Sequence, residues 1–203
     1  MSKIRVAIAG VGNCASALIQ GVTYYSTGDD DTGLGTRKAA GYDPSDIVFV
    51  AAFDVSTKKV GKDLGEAIFQ HPNNTTKIAS VGRLGVTVKK GPVLDGIGKY
   101  LKNVVRESKE REVQVVDELK ASGAEILVNY LPVGSTRATQ HYAEASLKAG
   151  VEFVNAMPVF VASERTWADR FREAGLSIAG DDVMSQVGAT ILHKTIIKMC
   201  IDR

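Results

Sequence analysis

Two short stretches carry the clearest chemistry in this chain. The run Ile8-Ala9-Gly10-Val11-Gly12-Asn13-Cys14-Ala15 has the spacing G-x-G-x-x-A, and Asp54 closes the run Val50-Ala51-Ala52-Phe53-Asp54. The first spacing suits a strand-to-helix turn that receives a pyrophosphate. Gly10 permits the tight turn, Gly12 lets backbone approach the phosphates, and Ala15 allows the helix to pack closely on the strand. Val11, Asn13 and Cys14 fill the turn, and the helix start offers free N–H groups and a positive dipole end to the anion. Alone the motif is weak, because glycine-rich turns also arise for steric reasons. A carboxylate at the end of the next strand strengthens it. Asp54 there accepts hydrogen bonds from adenosine ribose hydroxyls and repels a 2′-phosphate, which favours NAD over NADP. Asp54 lies farther from Gly12 than the usual spacing of about 20 residues, and an insertion over Val22–Asp46 accounts for the excess. The competing reading of Asp54 is a helix N-cap, aided by Ser56.

These residues need a scaffold, and the apolar pattern supplies one. Ile4–Ala9, Ile47–Phe53, Ile126–Leu131, Val151–Asn155 and Leu176–Ala179 are apolar on both faces, as buried parallel strands must be. A third strand is expected within Lys77–Val88, punctuated by Gly82 and Gly85. Helical patterns fill the intervals at Asn13–Gly21, Thr57–Phe69, Val113–Ala121, Ser135–Ala149, Glu164–Ala174 and Ser185–Cys200. Gly123, Gly150 and Gly175 are placed to end three of them. Strict alternation predicts an α/β fold of Rossmann type: one doubly wound, mostly parallel sheet of about six strands with helices on both faces. The polar stretch Gly91–Arg111 and the insertion Val22–Asp46 are long enough to be lids or partner contacts.

Composition narrows the class of function. The 203 residues hold 44% hydrophobic and 24% charged side chains with a net charge of +2, an ordinary balance for a globular domain. That charge argues for neither nucleic acid nor an anionic membrane. No apolar run approaches the roughly 20 residues of a membrane span. Met1 to Ile4 leads straight into a strand without an export signal, so a cytoplasmic protein is expected. Cys14 and Cys200 have no metal spacing; a disulfide stays open, but two buried thiols are the simpler reading. His71, His141 and His193 show no metal spacing either, so no metal is expected, and His193 reads as a packed histidine on an apolar helix. The pairs Lys58-Lys59 and Lys89-Lys90 read as solvated charges, and Glu107–Glu112 as an exposed face.

Longer stretches resemble one family. Val11–Ser16, Val50–Val55 with Lys58–Gly61, and Gly91–Gly96 look like the bacterial and archaeal type of inositol-3-phosphate synthase. So do Asn129–Ser135, Phe153–Phe160 and Gly180–Thr190, in order along the whole chain. The resemblance implies the NAD-binding half of an enzyme that converts glucose 6-phosphate to inositol 3-phosphate. In that reaction NAD oxidises C5 of the open-chain sugar, C6 enolises, an aldol closes the ring, and the same NADH reduces it. Such chemistry needs cationic groups and a phosphate anchor.

The tips of the fourth to sixth strands are where a nicotinamide would lie, at the carboxyl edge of the sheet. Tyr130, Pro132, Val133 and Gly134 follow the fourth strand, Asn155 ends the fifth, and Asp181 and Ser185 follow the sixth. Each has a plain structural alternative as a turn, core or capping residue. The family carries lysine where this chain has Met184, and its second domain, which supplies the phosphate site and further lysines, is expected to be missing. The chain alone is therefore expected to be inactive, with catalytic residues unassigned. A second chain bearing that domain and a homo-oligomer are the expected partners. Two other readings stay open: a non-catalytic NAD-binding protein or subunit, and an NAD-dependent dehydrogenase of a small polyol or sugar.

Overall fold

β1 (Ile4–Ala9) sits in the middle of a six-stranded sheet and pairs with β2 (Ile47–Asp54) on one side and β4 (Ile126–Asn129) on the other. The computed structural model describes residues 3–28, 30–97, 102–182 and 189–203. The strand order is β3-β2-β1-β4-β5-β6, with β3 at Val88–Lys90, β5 at Glu152–Asn155 and β6 at Ile178–Ala179. Every pairing is parallel, so the sheet is wholly rather than mostly parallel. This order reverses direction between β1 and β4, and ligands of such sheets bind at the carboxyl ends beside that point.

The strands are apolar throughout because both faces are covered. Ala7 and Ala9 look into a core with Phe53, Leu119, Tyr142, Phe153 and Phe171. Val6 and Ile8 look the other way, onto Ile19, Leu64, Ile68 and Val88. Helices α3 (Val115–Ser122), α4 (Thr136–Ala149) and α5 (Arg165–Glu173) contribute to the first layer. Helices α1 (Asn13–Thr27) and α2 (Leu64–Ala67) contribute to the second. Gly123 (φ 64°) and Gly150 (φ 74°) take the left-handed conformation that stops α3 and α4.

Several expectations need correction. Helix α2 covers only Leu64–Ala67 of the expected Thr57–Phe69. Gly61 turns at φ 84°, and the N–H groups of Gly61 and Leu64 donate to Val88 and Val86. Non-local pairing thus wins over local helix propensity. The third strand lies at Val88–Lys90 and shares only Val88 with the expected window Lys77–Val88; within that window the Asp63 carboxylate captures the N–H groups of Leu84 and Gly85. Helix α1 runs six residues past Gly21, shortening the expected Val22–Asp46 insertion. Lys59 and Lys90 are buried, not solvated; Lys90 pairs with Glu107 at 2.8 Å. Cys14 and Cys200 are free and exposed. His193 is exposed on α6 (Ala189–Ile201), together with Leu192, Ile196, Ile197, Met199 and Ile201. Among the described residues, no helix is long and apolar enough to cross a membrane.

Candidate functional site

The turn after β1 is fixed from three sides. Gly10 lies at φ 89°, and a Cβ on it would come within 2.6 Å of the Tyr130 carbonyl oxygen, so only glycine lets β1 and β4 run this close. Its N–H donates to the Phe53 carbonyl at 2.9 Å. Val11 is fully buried; its N–H donates to Asp54 Oδ2 at 3.0 Å, and its carbonyl accepts from Asn73 Nδ2 at 3.0 Å. Ala15 is fully buried against the sheet, in the close-packing place its size allows.

Gly12 behaves differently from Gly10. A Cβ there would meet nothing within 4 Å, so the backbone is open to the space in front of it. Gly12 is also the N-cap of α1, with no side-chain cap and no acidic residue in the first turn. The first-turn N–H groups are therefore left for an external anion, with no resident carboxylate competing.

That open backbone lines a cavity of about 430 Å³ at the carboxyl edge of the sheet. Gly10, Asn13, Cys14, Asp54, Tyr130, Pro132 and Val133 line it too. Tyr130 is half-buried, and burial, with a smaller contribution from Cys14, pushes its hydroxyl pKa up. Phe53, Tyr142 and Leu131 add apolar wall. Few polar groups on an apolar lining is the usual make-up of a small-molecule site.

Asp54 is held in the cavity wall by three backbone donors. Oδ1 accepts from the N–H groups of Val55 and Ser56, both at 2.8 Å, and Oδ2 accepts from Val11. A carboxylate has about four lone-pair sites, so one remains for a ribose hydroxyl. The capping alternative holds only in a local form: Asp54 turns the chain at Val55 and Ser56, while the next helix starts ten residues after Asp54, at Leu64, under its own cap, Asp63.

A strap at Pro72–Thr75 crosses the fingerprint turn. Asn74 and Asn13 exchange hydrogen bonds of 2.8 and 2.9 Å, and Thr75 Oγ1 donates to Asn13 Oδ1 at 2.9 Å. Asn73 also accepts from Lys59 Nζ at 2.9 Å. Sequence reasoning missed Lys59, Asn73 and Asn74. Their only sign was a run of turn-forming residues at His71–Asn74, which says nothing about where the turn lands. It missed Asp95 as well, whose carboxylate accepts from the N–H groups of Arg137 and Ala138 at the start of α4.

The expected residues beyond β4 do not all gather. Gly134 turns the chain at φ 94° outside the cavity lining. Asn155 is fully buried and bonded to Asn129, Asp181 and the carbonyls of Met157 and Val159. Asp181 accepts from Asn155 and from the N–H groups of Val161, Ala162 and Ser163. Burial raises its pKa, but these four bonds outweigh burial and hold it below the ordinary carboxylate value. Both residues bind the segment after β5 in place of facing the cavity. Ser185 and Met184 lie outside the described residues.

The chain is similar along its length to curated proteins. It is 53% identical over 204 residues to the inositol-3-phosphate synthase of Mycolicibacterium smegmatis, covering 99% of this chain and 56% of that protein. It thus spans about half the length of the curated relatives it matches. The crystal structure of Ari2 superposes with a TM-score of 0.83 at 31% identity, covering all of this chain and 61% of that one. A myo-inositol-1-phosphate synthase-related protein from Thermotoga maritima superposes with a TM-score of 0.75 at 23% identity over 99% of this chain and 59% of that one, a likeness of fold. No family profile matches the chain.

Proposed function

We propose that this chain, related along its whole length to the inositol-3-phosphate synthases, is the NAD-holding part of such an enzyme, which converts glucose 6-phosphate to inositol 3-phosphate. One observation carries the reading: the open backbone of Gly12, the uncapped start of α1 and the carboxylate of Asp54 border a single cavity. Those are the pieces that fit a dinucleotide, with pyrophosphate against Gly12 and the α1 N-terminus and adenosine ribose at the free lone pair of Asp54. Pro132, Val133 and Tyr130 then border the nicotinamide end, across the switch point from Asp54. NAD held there would supply the hydride acceptor and donor of the reaction. Val11, Asp54 and Asn73 keep the turn rigid while it is held. Asn155, Asp181 and Gly134 act behind this surface, shaping the loops after β4 and β5; Ser185 is retained as a proposed cofactor contact.

The chemistry also needs positive groups on the sugar phosphate and developing alkoxide. Among the described residues lining the cavity, Lys59 is the sole cation, and it faces Asp54 and Asn73. The phosphate anchor and remaining cations are assigned to the portion of the relatives that this chain does not span, on the same polypeptide or a partner. Phosphorus NMR with glucose 6-phosphate and NAD, on the chain combined with the remaining portion of the M. smegmatis relative, tests this. The reading expects inositol phosphate without accumulated NADH. Accumulating NADH would support a dehydrogenase instead, and NAD binding without turnover a non-catalytic subunit.

A further inference from the structure

We propose that Lys59 is a specificity-determining residue for the dinucleotide, tempering the rejection of a 2′-phosphate by Asp54. The inference rests on the nucleotide-site reading above and assigns a role within it. The Lys59 and Asp54 side chains are 6% and 11% exposed, with Nζ 3.8 Å from Oδ2, and both residues line the cavity. An ammonium has three donors and no acceptor. One Lys59 donor goes to Asn73 Oδ1 at 2.9 Å, and Nζ lies 3.8 Å from Asp54 Oδ2, too far for a full hydrogen bond. The remaining donor capacity lies in the wall beside the carboxylate that is placed to meet the adenosine ribose.

Position, more than charge count, makes this pair unusual. A bare carboxylate at the end of β2 repels a 2′-phosphate outright. Here the carboxylate and the ammonium form a buried couple of near-zero net charge, so the repulsion is weakened at short range. Burial pulls the Lys59 pKa down, and the neighbouring Asp54 pushes it back up. Removing the negative partner leaves a buried cation whose best available partner is a phosphate in the cavity. Asn73 supports the same geometry, because its amide nitrogen holds the Val11 and Ile68 carbonyls and cannot swing away without breaking both.

The test is a four-variant cycle measured by calorimetry with NAD and NADP: the unmutated chain, Asp54→Asn, Lys59→Met and the double variant. Asp54→Asn retains the shape and one carbonyl acceptor while removing the charge. It should raise the affinity for NADP relative to NAD by about tenfold or more, the scale of one charged hydrogen bond gained. Adding Lys59→Met should erase that gain, and Lys59→Met alone should sharpen the preference for NAD. Circular dichroism checks each fold, and Lys59→Gln replaces Lys59→Met if the latter does not fold. An NADP gain of equal size with and without Lys59 overturns the assignment while leaving the site intact. Failure of the unmutated chain to take up either nucleotide overturns the site and this assignment together.

Discussion

The N–H of Val11 donates to Asp54 Oδ2 at 3.0 Å, and the Val11 carbonyl accepts from Asn73, which in turn accepts from Lys59 beside Asp54. The four residues close a ring around Val11, holding the peptide on each side of it in the turn after β1. On the proposed function, cofactor recognition and loop rigidity depend on the same carboxylate, and changes to one should show up in the other.

Asp54→Ala should show both effects. It strips acceptors from three backbone N–H groups and leaves Lys59 buried without its counter-charge. Destabilisation of about 3 kcal/mol is expected from the broken pair, together with weaker NAD binding and a narrower preference over NADP. Thermal unfolding and calorimetry on the same sample check the two. An unchanged melting temperature would contradict the ring.

The two fingerprint glycines should separate in their effects. Gly12→Val places its side chain in open space, in an extended conformation that any residue adopts. It should leave a folded chain, losing about 1 kcal/mol or less at the helix cap, and abolish NAD binding. Gly10→Ala must overcome both a positive φ and a Cβ 2.6 Å from the Tyr130 carbonyl oxygen, so it should cost about 2–5 kcal/mol of stability. Undiminished NAD affinity in folded Gly12→Val would remove that glycine from the site.

Cys14 offers a chemical readout of the cavity. It lines the cavity and is exposed, and Cys200 on α6 is an equally free reference thiol. Saturating NAD should slow alkylation of Cys14 and leave Cys200 unaffected, as followed by mass spectrometry of the two peptides. Equal rates at Cys14 with and without NAD would place the cofactor elsewhere.

Asp181 gives a prediction in acid. Its carboxyl is depressed in the folded chain by the four bonds that outweigh burial. A depressed carboxyl stabilises fully above its unfolded pKa, about 3.9, and loses that contribution as pH falls through the lower folded value. Asp181→Ala should thus be less stable than the unmutated chain at pH 7, and the gap should close as pH drops below about 4. Denaturant melts at several pH values check this, and a gap independent of pH would mean the bonds to Val161, Ala162 and Ser163 do not depend on charge.

Much of this architecture is legible in the sequence. The Ile4–Ala9 run gives β1 with the same bounds, and Asp54 falls at the last residue of β2, because buried parallel strands need continuous apolar stretches. Thr57–Asp63 is not legible as turn, since its helical pattern is overruled by Gly61 and by hydrogen bonds to Val86 and Val88, more than 20 residues away. The same holds for the site. Gly10, Gly12 and Asp54 announce themselves by spacing and strand position. Lys59 and Asn73 reach the cavity through side-chain contacts that no local pattern encodes. Asn155 and Asp181 are legible as polar residues at or just past strand ends, but their bonds to each other, to Asn129 and to the backbone of residues 157–163 are not.

The 203-residue chain on its own, saturated with NAD, should form no inositol phosphate from glucose 6-phosphate. Lys59 is the sole cation among the described lining residues, and losing even one preorganised donor typically costs roughly a hundred- to a thousandfold in rate. Steady enzyme-dependent product in phosphorus NMR would show that this part carries the chemistry.

Calorimetric titration of the unmutated chain with NAD and with NADP tests the central claim most directly. The account predicts one NAD per chain, bound more tightly than NADP. Absence of NAD binding by a folded chain, or equal affinity for the two nucleotides, would contradict it.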